Sequence, residues 1–103
     1  MFRRRHFSDL IFRQLDLFLQ ENDGLIRECE EAEAAYDRAE PDEAEELYGD
    51  YQDLVETGTE ILADLRDHFA MTLEEAEAEA YEAEFNRAVR KRLPRFALEI
   101  ENR

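Results

Sequence analysis

Tryptophan is absent from this 103-residue chain, cysteine occurs once, proline twice and glycine three times. One cysteine cannot make an internal disulfide, and no Cys/His spacing suits a metal ion. So few Pro and Gly, with heavy use of Ala, Glu, Leu and Arg, put the chain in the all-α class. No run of about 18 apolar residues occurs, so no membrane span is expected. There is no Gly-rich phosphate loop. Histidine appears only as His6 and His68, and no nucleophile–base arrangement is visible. The expectation is therefore a protein that is not an enzyme, with no cofactor and no metal. Lysine is nearly missing too, with Lys91 alone against twelve Arg.

What is present in excess is acid. The formal net charge is −15, from 28 Asp and Glu against 13 Lys and Arg. Residues 1–19 carry net +2, residues 20–86 net −21 and residues 87–103 net +4. An acidic body with short basic ends argues against nucleic acid binding along that body. High net charge also keeps a protein soluble. Seven Phe and four Tyr supply core material that a disordered chain of this charge would lack. The opening MFRRRHF resembles the start of a secretory leader. Asp9, Arg13 and Asp16 break the stretch behind it, so a cytoplasmic protein is expected.

The periodicity predicts an antiparallel helical hairpin, a shorter third helix and an extended tail, all in one helical domain over 1–103. The first helix spans about 8–39 with Ser8 as N-cap, and the second about 42–70 after a turn at Pro41. Thr72-Leu73-Glu74-Glu75 reads as a capping box opening the third helix, about 73–93, which Pro94 stops. Ile11, Leu15, Phe18, Asn22, Leu25, Cys29, Ala32, Tyr36 and Ala39 form a heptad seam. Ala44, Leu47, Tyr51, Leu54, Gly58, Ile61, Leu65 and His68 form its partner. Folding at Pro41 sets Cys29 against Tyr51, Leu25 against Leu54 and Asn22 against Gly58, the last pair serving register and packing. The ladder keeps phase across Asn22-Asp23-Gly24, so the first helix is expected to run through. A break would instead give helices 8–22 and 25–39.

The third helix offers Ala76, Ala80, Tyr81, Phe85, Ala88 and Val89, and at about 32 Å it cannot cover arms of about 45 Å. Three surfaces are therefore expected to be sticky. One is the flanking stripe Tyr48, Val55, Leu62 and Phe69. Another is the hairpin tip, residues 27–53, with twelve acids, Arg27, Arg38, Tyr36, Tyr48 and Tyr51. The third is the tail 94–103, where Phe96, Leu98 and Ile100 alternate with polar or small residues and suggest an extended docking strand. It could also pack back on its own bundle. Uncovered hairpins commonly find their cover in another subunit, so a homo-oligomer or a protein partner is expected. The function expected is a non-catalytic protein–protein interaction or assembly subunit. The alternative is an acidic regulator that mimics nucleic acid and occupies a basic partner protein.

Asp64 and His68 share a helical face, but Glu-x-x-His is absent, so His68 reads as a helix C-terminal residue rather than a ligand. Cys29 reads as a small core residue. Arg3-Arg4-Arg5-His6 and the cluster from Arg87 to Arg95 are the basic groups. The second reads as a charged last turn that complements the helix dipole.

Overall fold

A computed structural model describes residues 7–103, and among them there are helices and no strands. The basic group Arg3-Arg4-Arg5-His6, with the start of the MFRRRHF stretch, lies outside the described residues. Five α-helices follow one another: α1 Ser8–Glu21, α2 Asp23–Asp37, α3 Ala44–Ala70, α4 Glu75–Arg92 and α5 Ala97–Glu101. A 3-10 turn, Pro94–Phe96, joins α4 to α5. The molecule is elongated, 52 × 24 × 22 Å.

The continuous helix expected over 8–39 is corrected at a single residue. Asn22 leaves helical geometry, at φ −120° and ψ 31°. Its backbone N–H and its side-chain Nδ2 both donate to the Phe18 carbonyl, each at 2.9 Å. A side chain that competes for its own helix's carbonyl favours an interruption over propagation. The chain does not reverse there. Ile26 N–H already donates to the Asn22 carbonyl, and α2 goes on to pack chiefly along α3. The reversal comes later, through Arg38–Glu43, where Glu43 N–H returns to Glu40 across Pro41.

Two expected caps are not made. Ser8 opens α1 without a side-chain cap, and Phe7 holds the N-cap position. Thr72 donates backward to the Phe69 carbonyl at 2.7 Å, so it closes α3 and leaves Glu74 at the N-cap of α4.

The tail is the larger correction. Residues 94–101 form a 3-10 turn and a short α-helix where an extended strand was expected. Phe96 and Ile100 stand four residues apart and so share one helical face, while Leu98 points the other way. Phe96 and Ile100 are 1% and 0% exposed, and Leu98 is 77% exposed. The Phe96 ring meets Phe18 edge-on at 5.9 Å and lies over Gly58, where a Cβ would stand 2.5 Å from Cε1. Gly58 therefore makes room for Phe96 rather than for Asn22, which bonds within its own chain turn.

The core follows from this cover. α1 contributes Ile11, Leu15 and Phe18, and α4 contributes Tyr81, Phe85 and Val89. On α3 the most deeply buried residues are Val55, Gly58, Thr59, Leu62, Ala63, Arg66 and Ala70. The seam residues Leu47, Tyr51, Leu54, Ile61 and Leu65 are only half-buried, and His68 is exposed. The flanking stripe is thus the inner face, because α4 and the C-terminal segment approach from that side. Of the alanines expected to pack, Ala88 does and Ala76 and Ala80 are exposed, while Ala78 packs in addition.

Arginines tie the layers. Arg66 is 3% exposed. Its Nη1 donates to Asn86 Oδ1 at 2.9 Å and to the Ile100 carbonyl at 3.2 Å, and its Nε donates to Asp67 at 2.8 Å. One side chain thereby joins α3, α4 and the open carbonyl end of α5. Arg92 reaches Asp16 at 3.0 Å and lies over the Phe12 ring at 4.6 Å. Arg90 meets Glu101 at 2.6 Å, and Arg103 reaches Glu56 at 3.4 Å. Arg90, Lys91 and Arg92 stand in the last turn of α4 as expected for a helix dipole, and Arg90, Arg92 and Arg95 each also pair with a carboxylate of the same chain.

Candidate interaction surface

The distal part of the hairpin, residues 27–53, has only two helices. The Pro94–Phe96 turn reaches its inner end, where Arg95 meets Glu33 and Tyr51, and beyond that point the two helices pack on each other. Cys29 is the one buried residue of α2. Burial pushes its thiol pKa up, and the neighbouring Glu28, Glu30 and Glu33 add to the effect against a partial opposing pull from Arg95. That environment disfavours the reactive thiolate.

Three tyrosines run along this arm as a row. Tyr51 and Tyr48 have ring centroids 6.4 Å apart, and Tyr48 and Tyr36 are 5.2 Å apart. Tyr51 is half-buried, whereas Tyr36 and Tyr48 are 39% and 44% exposed. The inner end of the row is occupied by Arg95. Its Nε donates to the Tyr51 hydroxyl at 3.1 Å, its Nη2 to Glu33 Oε1 at 2.7 Å, and its guanidinium carbon lies 5.9 Å from the Tyr51 centroid. Burial disfavours the charged form of Arg95, yet the hydrogen bonds to Tyr51 and Glu33 outweigh it and raise its pKa. No guanidinium lies over Tyr36 or Tyr48 among the described residues. Among the described residues Glu33 is also the single acid of the twelve in this arm that has an ion pair. Arg27 is engaged with Asp23 at 3.2 Å.

The other expected contact residues lie elsewhere. Val55, Leu62, Phe96 and Ile100 are in the core, and Phe69 is half-buried against Phe7 and Tyr81. None of these five is an open docking surface of the folded chain. Leu98 is exposed but stands on α5, away from the tyrosine row. Asn22 and Gly58 serve the backbone and the packing described above. The sequence reading missed Arg66 and Arg95. Arg66 falls on the same stripe as Val55, Thr59, Leu62 and Ala70, and that placement was the available signal.

A shallow groove of about 330 Å³ separates α1 from α4, with Ile11, Phe12, Leu15 and Ala88 between Asp9 and Glu84 on one hand and Arg87, Lys91 and Arg92 on the other. Its charges nearly cancel. His68 Nδ1 lies 3.0 Å from the Asp64 carbonyl rather than from its carboxylate. Among the described residues no three His, Cys, Asp or Glu come together to hold a metal ion. No described helix is long and apolar enough to cross a membrane. No family model, curated protein or solved structure matches this chain.

Proposed function

We propose that this chain is a non-catalytic protein–protein interaction subunit of the cytoplasm that docks a basic partner protein through its two-helix arm. One observation carries the reading: Tyr36 and Tyr48 are 39% and 44% exposed in an arm whose acids, Glu33 apart, have no ion pair among the described residues. Tyrosines are enriched where interfaces concentrate their binding energy, since each adds area at little entropic cost. Unpaired carboxylates around them steer a cationic partner and speed the encounter. In the body most large apolar side chains are buried in the chain's own core, with Phe12, Leu17, Met71 and Leu98 standing exposed.

The test is fluorescence anisotropy with a labelled cationic 12-residue peptide at low salt. Saturable binding is expected, weakening steeply toward about 1 M salt, where the Debye length is ~3 Å. Replacing Glu40, Asp42, Glu45 and Glu46 by their amides should abolish it at unchanged helicity. No binding by the intact chain at low salt would overturn the reading. The alternative of a nucleic acid mimic rests on the same unpaired carboxylates. It requires binding that tracks charge alone and ignores Tyr36 and Tyr48.

A further inference from the structure

We infer that the tyrosine row reads arginine: the arm takes guanidinium groups of an arginine-rich segment of its partner in preference to lysine. The inference rests on the basic-partner reading above and names the partner's chemistry.

The chain already holds one such guanidinium on the same row. Arg95 comes from the C-terminal segment, far along the chain, and is gripped by a ring face, a phenol oxygen and a carboxylate at once. Each of those contacts suits a planar fork. Guanidinium donors point in fixed directions and can serve a hydroxyl and a carboxylate together, and the weakly hydrated plane lies against an aromatic ring. An ammonium is a compact, strongly hydrated charge that gains less from either.

The row continues outward from that occupied position. Tyr48 and then Tyr36 follow at 6.4 and 5.2 Å, are both exposed where Tyr51 is half-buried, and lie among carboxylates that, Glu33 apart, have no ion pair among the described residues. An extended peptide presents alternate side chains on one side every ~6.6–7 Å. Arginines at every second position can thus reach the two open rings, 5.2 Å apart, by converging through their long side chains. Arg95 fills the innermost ring and blocks further entry toward the core, so the two outer rings define the open sites. The arrangement fits an Arg-x-Arg segment in extended form.

The experiment compares two 12-residue peptides of equal charge, alternating Gly-Arg and alternating Gly-Lys, titrated calorimetrically into the intact chain at about 150 mM salt. Binding of the Arg peptide about tenfold tighter is expected, from two exposed cation–π contacts. Tyr36→Leu with Tyr48→Leu should bring the Arg peptide to the level of the Lys peptide and leave the Lys peptide unchanged. Circular dichroism reports that the double variant is folded, and the unchanged Lys affinity serves as a second check. Equal affinities for the two peptides, or an Arg preference that survives loss of both tyrosines, would overturn the inference and leave the basic-partner reading standing. Failure of both peptides to bind, at low salt as well, would remove the basic-partner reading and this inference with it.

Discussion

In the body of the molecule α3 packs against α4 and the C-terminal segment, and Thr59 and Leu62 fall to 0% exposure. In the arm the same helix meets chiefly α2, with Arg95 touching Tyr51 at the inner end, and Leu47, Tyr51 and Leu54 remain half-buried. The sequence of α3 changes accordingly. Its distal part carries Glu45, Glu46, Asp50 and Asp53 around Tyr48 and Tyr51. Its proximal part carries the small or compact residues Gly58, Thr59 and Ala63, which admit close neighbours. Thr59 satisfies its hydroxyl on the Val55 carbonyl at 2.8 Å, so burial costs it little. One helix thus serves two regions. A third layer converts charge and apolar surface into cohesion in the body, and its absence leaves both available in the arm.

The sharpest way to break this contrast is to remove the closing residue of the body. Phe96→Ala vacates a ring buried against Phe18 and Gly58 and should cost about 3–5 kcal/mol in chemical denaturation. The equivalent truncation in the arm, Tyr48→Ala, should cost under about half as much, because that ring is 44% exposed. Equal losses would erase the distinction.

Arg66→Met comes next. It keeps volume but leaves Asn86 Oδ1 and the Ile100 carbonyl without their donor. A loss of about 1.5–3 kcal/mol is expected, with faster amide exchange in α5 as the local sign.

Tyr81 links the body to pH. Burial first, and nearby Asp67 and Glu82 after it, push its pKa from 10.0 up to about 12, against opposing pulls from the Gln14 hydrogen bond and Arg66. A raised folded-state pKa means the contribution is full below pH 10 and is lost as pH rises toward 12, since the unfolded chain ionises first. The loss should be about 2 kcal/mol across that window. In Tyr81→Phe the decline between pH 10 and 12 should shrink by that amount, as urea midpoints at each pH would report. An identical decline in both chains would contradict it.

The smallest effects come from two glycines in helical geometry. Gly58→Ala places a Cβ 2.5 Å from the packed Phe96 ring and should destabilise by about 1–2 kcal/mol despite better helix propensity. Gly49→Ala, in the arm, meets nothing within 4 Å and should stabilise by about 0.5–1 kcal/mol. Opposite signs from one substitution in one helix sharpen the comparison; the melting temperatures decide it.

The helices and the reversal near Pro41 were legible because period and punctuation agree there. The C-terminal segment was not, because Phe96, Leu98 and Ile100 satisfy two templates. Their spacing of two suggests a strand, yet the outer pair is also the i, i+4 pair of a helix, and three positions cannot choose between them. Burial of Phe96 over Gly58 decides the matter through contacts nearly forty residues apart, which no local pattern contains. The same gap hid the true inner face of α3. Which stripe is buried depends on where α4 and α5 dock, and the sequence showed both stripes. Asn22 was noticed for its seam position, but its side chain turned to the Phe18 carbonyl one turn back, an outcome set by local competition. Of the candidate surface, the tyrosines and acids of the arm were visible from spacing and charge. Arg95 was visible only as one base among six near the C-terminus, since its partners Tyr51 and Glu33 come from two other helices.

Amide hydrogen exchange of the intact free chain tests the closed body and open arm most directly. The account predicts the slowest amides in residues 55–66 and 81–89, exchanging near the rate of global unfolding, and markedly faster exchange in 30–37 and 44–51 through local opening. Uniform protection along α2 and α3 would contradict it.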